Sequence, residues 1–153
     1  MNRLAARLFH LAWRFTRPLT GGVRAMVLEE GTDGPRVLLV RHTYVAGWHL
    51  PGGGVEPGET FEEALAKELR EEAAVTPVDR PRLHAIHLNT AVTRRDHVAL
   101  YVVRRFERAP FAPTREIAEA AFHPVAALPE ATTGATRRRI AEVLEDREPD
   151  PYW

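Results

Sequence analysis

Glu68, Glu71 and Glu72 lie in a segment, Lys67-Glu68-Leu69-Arg70-Glu71-Glu72, made of strong helix formers. On a helix, residues three and four apart share a face, and about 100° of rotation per residue puts these carboxylates within an arc of about 100°. Like charges at that spacing repel by a few tenths of a kcal/mol per pair. A helix needing only stability would interleave Lys or Arg. A bound divalent cation converts the repulsion into a site, and carboxylate oxygens suit hard Mg²⁺ or Mn²⁺. Taken alone, three glutamates are also what a solvated helix face looks like.

The stretch before them, Gly52-Gly53-Gly54-Val55-Glu56-Pro57-Gly58-Glu59, adds a second element. Three glycines let backbone carbonyls and amides approach a ligand with no side chain between. The loop also leads toward a helix N-terminus, the favourable end for a phosphate. Other groups could read a substrate: Arg41, His42, Tyr44 and Trp48 near one predicted strand end, and Arg94, Arg95 and His97 near another. An arginine there could hold a terminal phosphate. Trp48 has two readings, a base-stacking surface or a core residue. With Arg41 and Trp48, Gly52, Gly53 and Gly54 make up the expected substrate-facing set.

The elements that must position these groups follow from periodicity. Residues 22–29 and 36–42 read as strands joined by a turn at 31–35; Val37-Leu38-Leu39-Val40 is the unbroken apolar run of a strand covered on both faces. Residues 60–73 read as a helix that Thr76-Pro77 stops, with Leu65, Leu69 and Ala73 anchoring it beside the acidic arc. Residues 82–90 and 97–106 read as an antiparallel pair of strands, 117–123 as a short strand, and 132–147 as a closing helix with a Thr cap. Strands in the middle and helices spaced along the chain predict an α+β fold, a layered α/β/α sandwich. The expected organisation is an arm over 1–18, one domain over 19–149 and a tail over 150–153.

Residues 3–17 read as an amphipathic helix, with Leu4, Leu8, Leu11 and Phe15 on one stripe and Arg3, Arg7, His10, Arg14 and Arg17 opposite. The stripe would pack on the domain or form a homodimer; the charge also suits a membrane surface.

Bulk composition narrows the classes. The chain has 153 residues, 21 basic and 21 acidic, so no global charge points to nucleic acid. Seven of the acidic residues lie between Glu56 and Glu72, and the first 28 residues carry five arginines and no acid. With no cysteine, disulfides and thiolate metal sites are excluded. No apolar run reaches the roughly 20 residues of a membrane span, and arginines interrupt the start where a signal peptide needs an apolar core. A cytoplasmic location is the resulting expectation.

The combined spacing resembles the Nudix (MutT-like) hydrolase signature: Gly, five residues, Glu, seven residues, then Arg-Glu-apolar-x-Glu-Glu-x-Gly-apolar. Here Gly53, Glu59 and position 67 match in register, followed by Glu68, Leu69, Glu71, Glu72 and Val75. The lead-in Trp48-His49-Leu50-Pro51-Gly52-Gly53 also resembles the family, as do Glu116-Ile117 and Phe122 to Pro129. Two positions depart. Lys67 replaces a forked guanidinium by a point charge, loosening its hold on neighbouring glutamates. Ala74 replaces glycine, which costs about 1 kcal/mol if the helix ends there in a left-handed conformation and nothing if the helix runs on to Val75.

The resemblance implies a Nudix fold and a small-molecule substrate, a nucleoside diphosphate linked to another group, with water attacking phosphorus. It implies Mg²⁺, or Mn²⁺, held by Glu68, Glu71, Glu72 and the Gly53 carbonyl, with Glu59 as a further ligand or a partner for Lys67. The general base would come from the helix, Glu68 or Glu71, or from a later loop, Glu116 or Glu119. The alternative is a Nudix module that binds a nucleotide without cleaving it. Ala91-Val92-Thr93 carry neither the Pro nor the Tyr that mark some substrate classes in the family, so the substrate stays open.

Overall fold

The computed structural model describes residues 18–153; the predicted helix over 3–17 lies outside them. The elements in chain order are β1 (Thr20–Gly31), β2 (Gly34–His42), α1 (Phe61–Ala73), β3 (Val75–Pro77), β4 (Arg82–Leu88), β5 (Asp96–Val103), β6 (Phe106–Arg108), β7 (Ile117–Pro124), a 3₁₀ turn (Val125–Ala127) and α2 (Gly134–Leu144). Five strands form one mixed sheet in the order β4-β5-β1-β2-β7, and β3 pairs with β6 in a separate ribbon. Within the sheet only β1 and β5 are parallel; the other neighbours are antiparallel.

Side chains on a strand alternate between faces, and here both faces are apolar. Val23, Ala25, Val27, Leu38, Val40, Ala99 and Tyr101 face Ala64, Leu65, Leu69 and Ala73 of α1. Met26, Leu28, Val37, Leu39, Leu100 and Val102 face Ile140 of α2 on the other side. The helices therefore lie on opposite faces, which is the predicted layered α/β/α arrangement. The run Val37-Leu38-Leu39-Val40 is buried throughout and divides between the two cores, as a doubly covered strand must.

Several boundaries differ from the sequence reading. The helix closes at Ala73 as read, but its stop is the Ala74 cap rather than Pro77, and Thr76-Pro77 belong to β3. The helix does not run on to Val75 either. Ala74 caps it in the left-handed region at φ 53°, its N–H reaching back to the Arg70 carbonyl. The expected strand over 97–106 breaks after Val103, and Phe106 opens the unpredicted β6. The cap of α2 is Thr133, whose Oγ1 accepts from the Thr136 N–H, and the helix closes at Leu144 rather than 147. Three-residue strands carry too little periodicity to be read in advance.

Beyond α2, residues 150–153 fold back onto β4. The Leu88 N–H donates to the Pro151 carbonyl (2.8 Å) and the Trp153 N–H to the Leu88 carbonyl (3.1 Å). The buried Arg139 guanidinium donates to the Tyr152 carbonyl at 2.8 Å, and Glu142 accepts from the Asp150 N–H at 2.6 Å.

Candidate active site

The glutamate-bearing helix is fixed at both ends and along one face. At its start Thr60 and Glu63 cap each other: the Glu63 N–H donates to Thr60 Oγ1 (3.2 Å) and the Thr60 N–H to Glu63 Oε2 (2.8 Å). Leu65, Leu69 and Ala73 face the sheet as expected, which turns Glu68 and Glu72 toward the glycine loop.

That loop is clamped to the edge of β1. The Val23 N–H donates to the Gly53 carbonyl, Ala25 to Pro51, and Val55 to Gly21, each at 2.9 Å. The contact leaves no room for side chains. Gly52 has φ +141°, and a Cβ there would overlap the Val23 carbonyl; a Cβ at Gly53 would overlap the Glu68 carboxylate. Gly54, by contrast, has open space beside it.

Glu68, Glu72 and Glu116 line one cavity of about 260 Å³ with Arg24, His42, Tyr44, His49, Gly52 and Gly53. Glu72 is 8% exposed and accepts a 2.8 Å hydrogen bond from the Gly52 N–H. Burial pushes its carboxyl up to about 7, more than the Gly52 bond and the Arg24 charge pull it down, with Glu68 and Glu116 adding to the rise. Glu68 is raised too, chiefly by burial, with the Lys67 charge opposing. His42 Nδ1 stands 3.9 Å from Glu72 Oε1, but burial first and then the Arg24 charge hold the imidazole below its ordinary range. Neutral His42 is therefore a poor counter-charge for Glu72.

Arg24 supplies that charge. Its guanidinium donates to the Leu50 carbonyl (3.0 Å) and the Gly52 carbonyl (2.5 Å), and burial lowers its basicity against the pull of Glu72 and Glu68. It stitches the loop to β1 and places a fixed cation beside the acidic groups. Sequence reasoning missed it: in a strand it reads as one polar member of an alternation, and its target carbonyls lie 26 and 28 residues away. His49 was missed as well, and it stands with its ring 5.5 Å from His42.

The remaining expected residues divide. Lys67 pairs with Glu59 at 3.0 Å, so the ammonium keeps a glutamate partner despite lacking a fork. Gly54 does not line this cavity but a larger neighbouring one. Glu71 is exposed and stands outside the lining of the cavity. Arg41 is also outside it, paired with Glu119 at 3.1 Å, so Glu119 is drawn away from the glutamates that Glu116 joins. Trp48 sits in the core of the α2 face, 8% exposed, its ring edge-on to His123 at 4.6 Å. Of its two readings the structure places it in the core. Arg94 and Arg95 lie in the β4–β5 turn and His97 at the start of β5, and none of the three lines either cavity.

The donor set suits a hard divalent cation in kind: partly buried carboxylates and a carbonyl approached across a glycine. The Gly53 carbonyl already accepts from Val23, which leaves one lone pair. Among the described residues, no three His, Asp or Glu side chains already converge at ligating geometry. Nor, among them, is any helix long and apolar enough to cross a membrane.

A family model described as the NUDIX domain matches residues 18–144. Among curated proteins, the chain is similar to the nucleoside triphosphatase NudI of Enterobacter sp. (strain 638), 59% identical over 32 residues, 21% of this chain and 23% of that protein. It is also similar to the RNA pyrophosphohydrolase of Halorhodospira halophila, 49% identical over 47 residues, 31% of this chain and 26% of that one. These matches thus span about a quarter of each relative's length. Among solved structures, a MutT NUDIX hydrolase from Burkholderia pseudomallei superposes with a TM-score of 0.69 at 24% identity, covering 82% of this chain and 98% of that one. An ADP-ribose pyrophosphatase from Streptococcus suis gives 0.62 at 18% identity, covering 87% and 97%. At these identities the structural likeness is one of fold.

Proposed function

The chain belongs to the Nudix family, and from that premise we propose that it hydrolyses the phosphoanhydride bond of a nucleoside diphosphate linked to another group, with the help of Mg²⁺ or Mn²⁺. The observation that carries this reading is the convergence of Glu68, Glu72 and Glu116 on one cavity under the glycine loop. Three carboxylates with a single fixed arginine leave that cavity short of positive charge.

Glu68, Glu72 and the free lone pair of the Gly53 carbonyl would hold the cation, with Glu71 reaching in from the exposed flank of α1. The bound ion would neutralise the diphosphate and lower the pKa of a coordinated water. The chain's own groups do the rest. Arg24 fixes the Leu50 and Gly52 carbonyls, so the Gly53 peptide faces the cavity in one orientation. Gly52 holds Glu72 Oε2 by its N–H, which orients that carboxylate before any ligand arrives. Glu116, exposed and lining the same cavity, would accept a proton from an attacking water.

The non-catalytic alternative rested on Lys67 and Ala74. Lys67 keeps its ion pair with Glu59, and Ala74 takes up the left-handed cap without disturbing the helix before it. Neither feature favours that alternative.

The deciding experiment is a nucleotide panel with and without Mg²⁺, run in ¹⁸O-water and read by mass spectrometry. Label in one product phosphate, lost in the Glu72→Gln variant with an unchanged circular dichroism spectrum, is the expected result. Unaltered turnover by that folded variant would sink the assignment.

A further inference from the structure

Where residues 150–153 fold back onto β4 they cover a set of charged groups that the glutamate site does not use. His87, Arg139 and Glu142 are 0%, 1% and 4% exposed. Arg139 Nε stands 3.1 Å from Glu142 Oε2. Each member of this pair also reaches the backbone of the returning segment. Arg139 Nη1 donates to the Tyr152 carbonyl at 2.8 Å, and Glu142 Oε1 accepts from the Asp150 N–H at 2.6 Å. Charges taken out of water need such partners, so the segment completes the burial of the pair.

The segment is held mainly by polar bonds. Two backbone bonds join it to Leu88, Arg138 donates to the Trp153 carbonyl at 3.0 Å, and Asp150 Oδ1 accepts from the Tyr152 N–H at 2.8 Å. Asp150, Pro151 and Tyr152 are exposed, and only Trp153 packs on the α2-face core. A short stretch with so little buried apolar surface belongs to the parts of a fold that open locally at low free energy. Trp153 is also in the wall of the larger cavity beside Gly53 and Gly54, so opening removes part of that wall.

His87 makes the closed segment sensitive to protons. Its Nδ1 lies 2.6 Å from the Asp150 carbonyl and 2.8 Å from Arg139 Nη1. One nitrogen cannot donate to the first and accept from the second at once. A charged imidazole keeps the Asp150 bond but sets a second cation beside Arg139. It also buries an Nε2–H that has no partner among the described residues. The other titratable or charged groups packed around it are His84 of β4, 3.7 Å from Glu142 Oε2, Arg138 and Glu142 of α2, and Asp150 of the segment itself. Burial holds the His87 imidazole below its ordinary value, against the Asp150 bond and aided by the Arg139 charge. Once the segment opens, the imidazole is hydrated and charges in the ordinary histidine range, near pH 6.5. Closure is therefore whole above about pH 6.5 and weakens as pH falls below it, by at most about ten-fold per pH unit for one group.

We propose that residues 150–153 form a strap, shut on β4 at neutral pH and released in acid when His87 takes up a proton, and that release withdraws Trp153 from the cavity beside the glycine loop. Neither the strap nor its release depends on the hydrolase reading.

The test is hydrogen exchange of the full chain in EDTA at pH 7.5, 6.5 and 5.5, read residue by residue by NMR and expressed as protection relative to the unfolded chain. The amides of Leu88, Asp150 and Trp153 are expected to lose protection about ten-fold or more between pH 7.5 and 5.5, while that of Leu100 in β5 keeps it. The Trp153 indole signal should move toward its unfolded-chain position over the same range, and the His87 imidazole should titrate with the same midpoint. His87→Gln is expected to make strap protection independent of pH, and His84→Gln to leave the wild-type dependence in place.

Constant protection in wild type would overturn the proposal, and so would a loss that Leu100 shares, which is general acid unfolding. A pH dependence that survives His87→Gln, or a His87 midpoint apart from that of the amides, would remove His87 as the trigger. An indole signal that stays put while the amides open would leave the cavity wall intact and refute the withdrawal of Trp153.

Discussion

The Glu68 carboxylate packs against the Cα of Gly53, so that a Cβ on residue 53 would stand 2.7 Å from Glu68 Cδ. Gly53→Ala should therefore displace Glu68, whose end is flexible, rather than unfold the chain. A misplacement of about 1 Å at a catalytic group can cost about 10²-fold in rate, and a loss of that order in kcat with a small change in thermal midpoint is expected. Wild-type kcat in Gly53→Ala would show that the contact has no bearing on turnover.

Glu72 makes a prediction about pH. Its carboxyl is raised by burial from an ordinary 4.5 to about 7, so between those values the folded chain holds a proton that the unfolded chain has lost. Its contribution to metal-free stability is whole below about pH 4.5 and disappears as pH rises toward 7. At 1.36 kcal/mol per unit this amounts to at most about 3 kcal/mol. Glu68 pulls the same way, whereas His42 and His49, both lowered by burial, gain stability as pH rises through the ordinary histidine range. The difference between wild type and Glu72→Gln isolates the effect. Urea denaturation in EDTA at pH 5 and pH 8 should show a smaller loss in the variant, and equal losses would contradict the burial argument.

Arg24 donates to two loop carbonyls that would otherwise lose partners. Hydrogen bonds to a charged group contribute about 1.5–3 kcal/mol, and about 2–4 °C accompanies each kcal/mol at this chain length. Arg24→Met should lower the thermal midpoint by about 3–12 °C. It should also speed hydrogen exchange at Gly52 and Gly53. Unchanged exchange there would mean the arginine does not hold the loop.

The two late glutamates should separate. Glu116 lines the cavity of Glu68 and Glu72, while Glu119 is tied to Arg41 on the exposed side of β7 and β2. Glu116→Gln is expected to reduce kcat by about 10²-fold or more, the scale of a general base, and Glu119→Gln to leave it nearly unchanged. The reverse ranking would place the base on Glu119.

What the sequence disclosed followed from the range of each signal. The loop and helix from Gly52 to Ala73 were legible because spacing, helix formers and glycines all lie within one short window. The apolar runs of β1, β2 and β5 disclosed the sheet, since burial on both faces leaves such runs unbroken. Arg24 was hidden because its target carbonyls are 26 and 28 residues away. Arg41 looked like a phosphate group's partner, and only the β2–β7 register, which brings it opposite Glu119, assigned it elsewhere. Trp48 drew attention by its place in the lead-in to the glycines, but a bulky ring next to the apolar Leu50 is also simply core.

The parallel pairing of β1 with β5 sets an order of assembly. Thr20 and Asp96, bonded to each other, are 76 residues apart, whereas β1 and β2 meet through a tight turn. Closing so long a loop carries an entropic penalty that short-range contacts escape, and such pairings form slowly. During synthesis the β1–β2 hairpin and the glutamate helix can be complete while β5 is still inside the ribosome. The glycine loop can already lie along β1 at that stage, but the cavity on its far side cannot, because Asp96 and Val98 are not yet present. Nascent chains would thus hold the glycine loop and the glutamate helix before they hold the β5 wall of the neighbouring cavity.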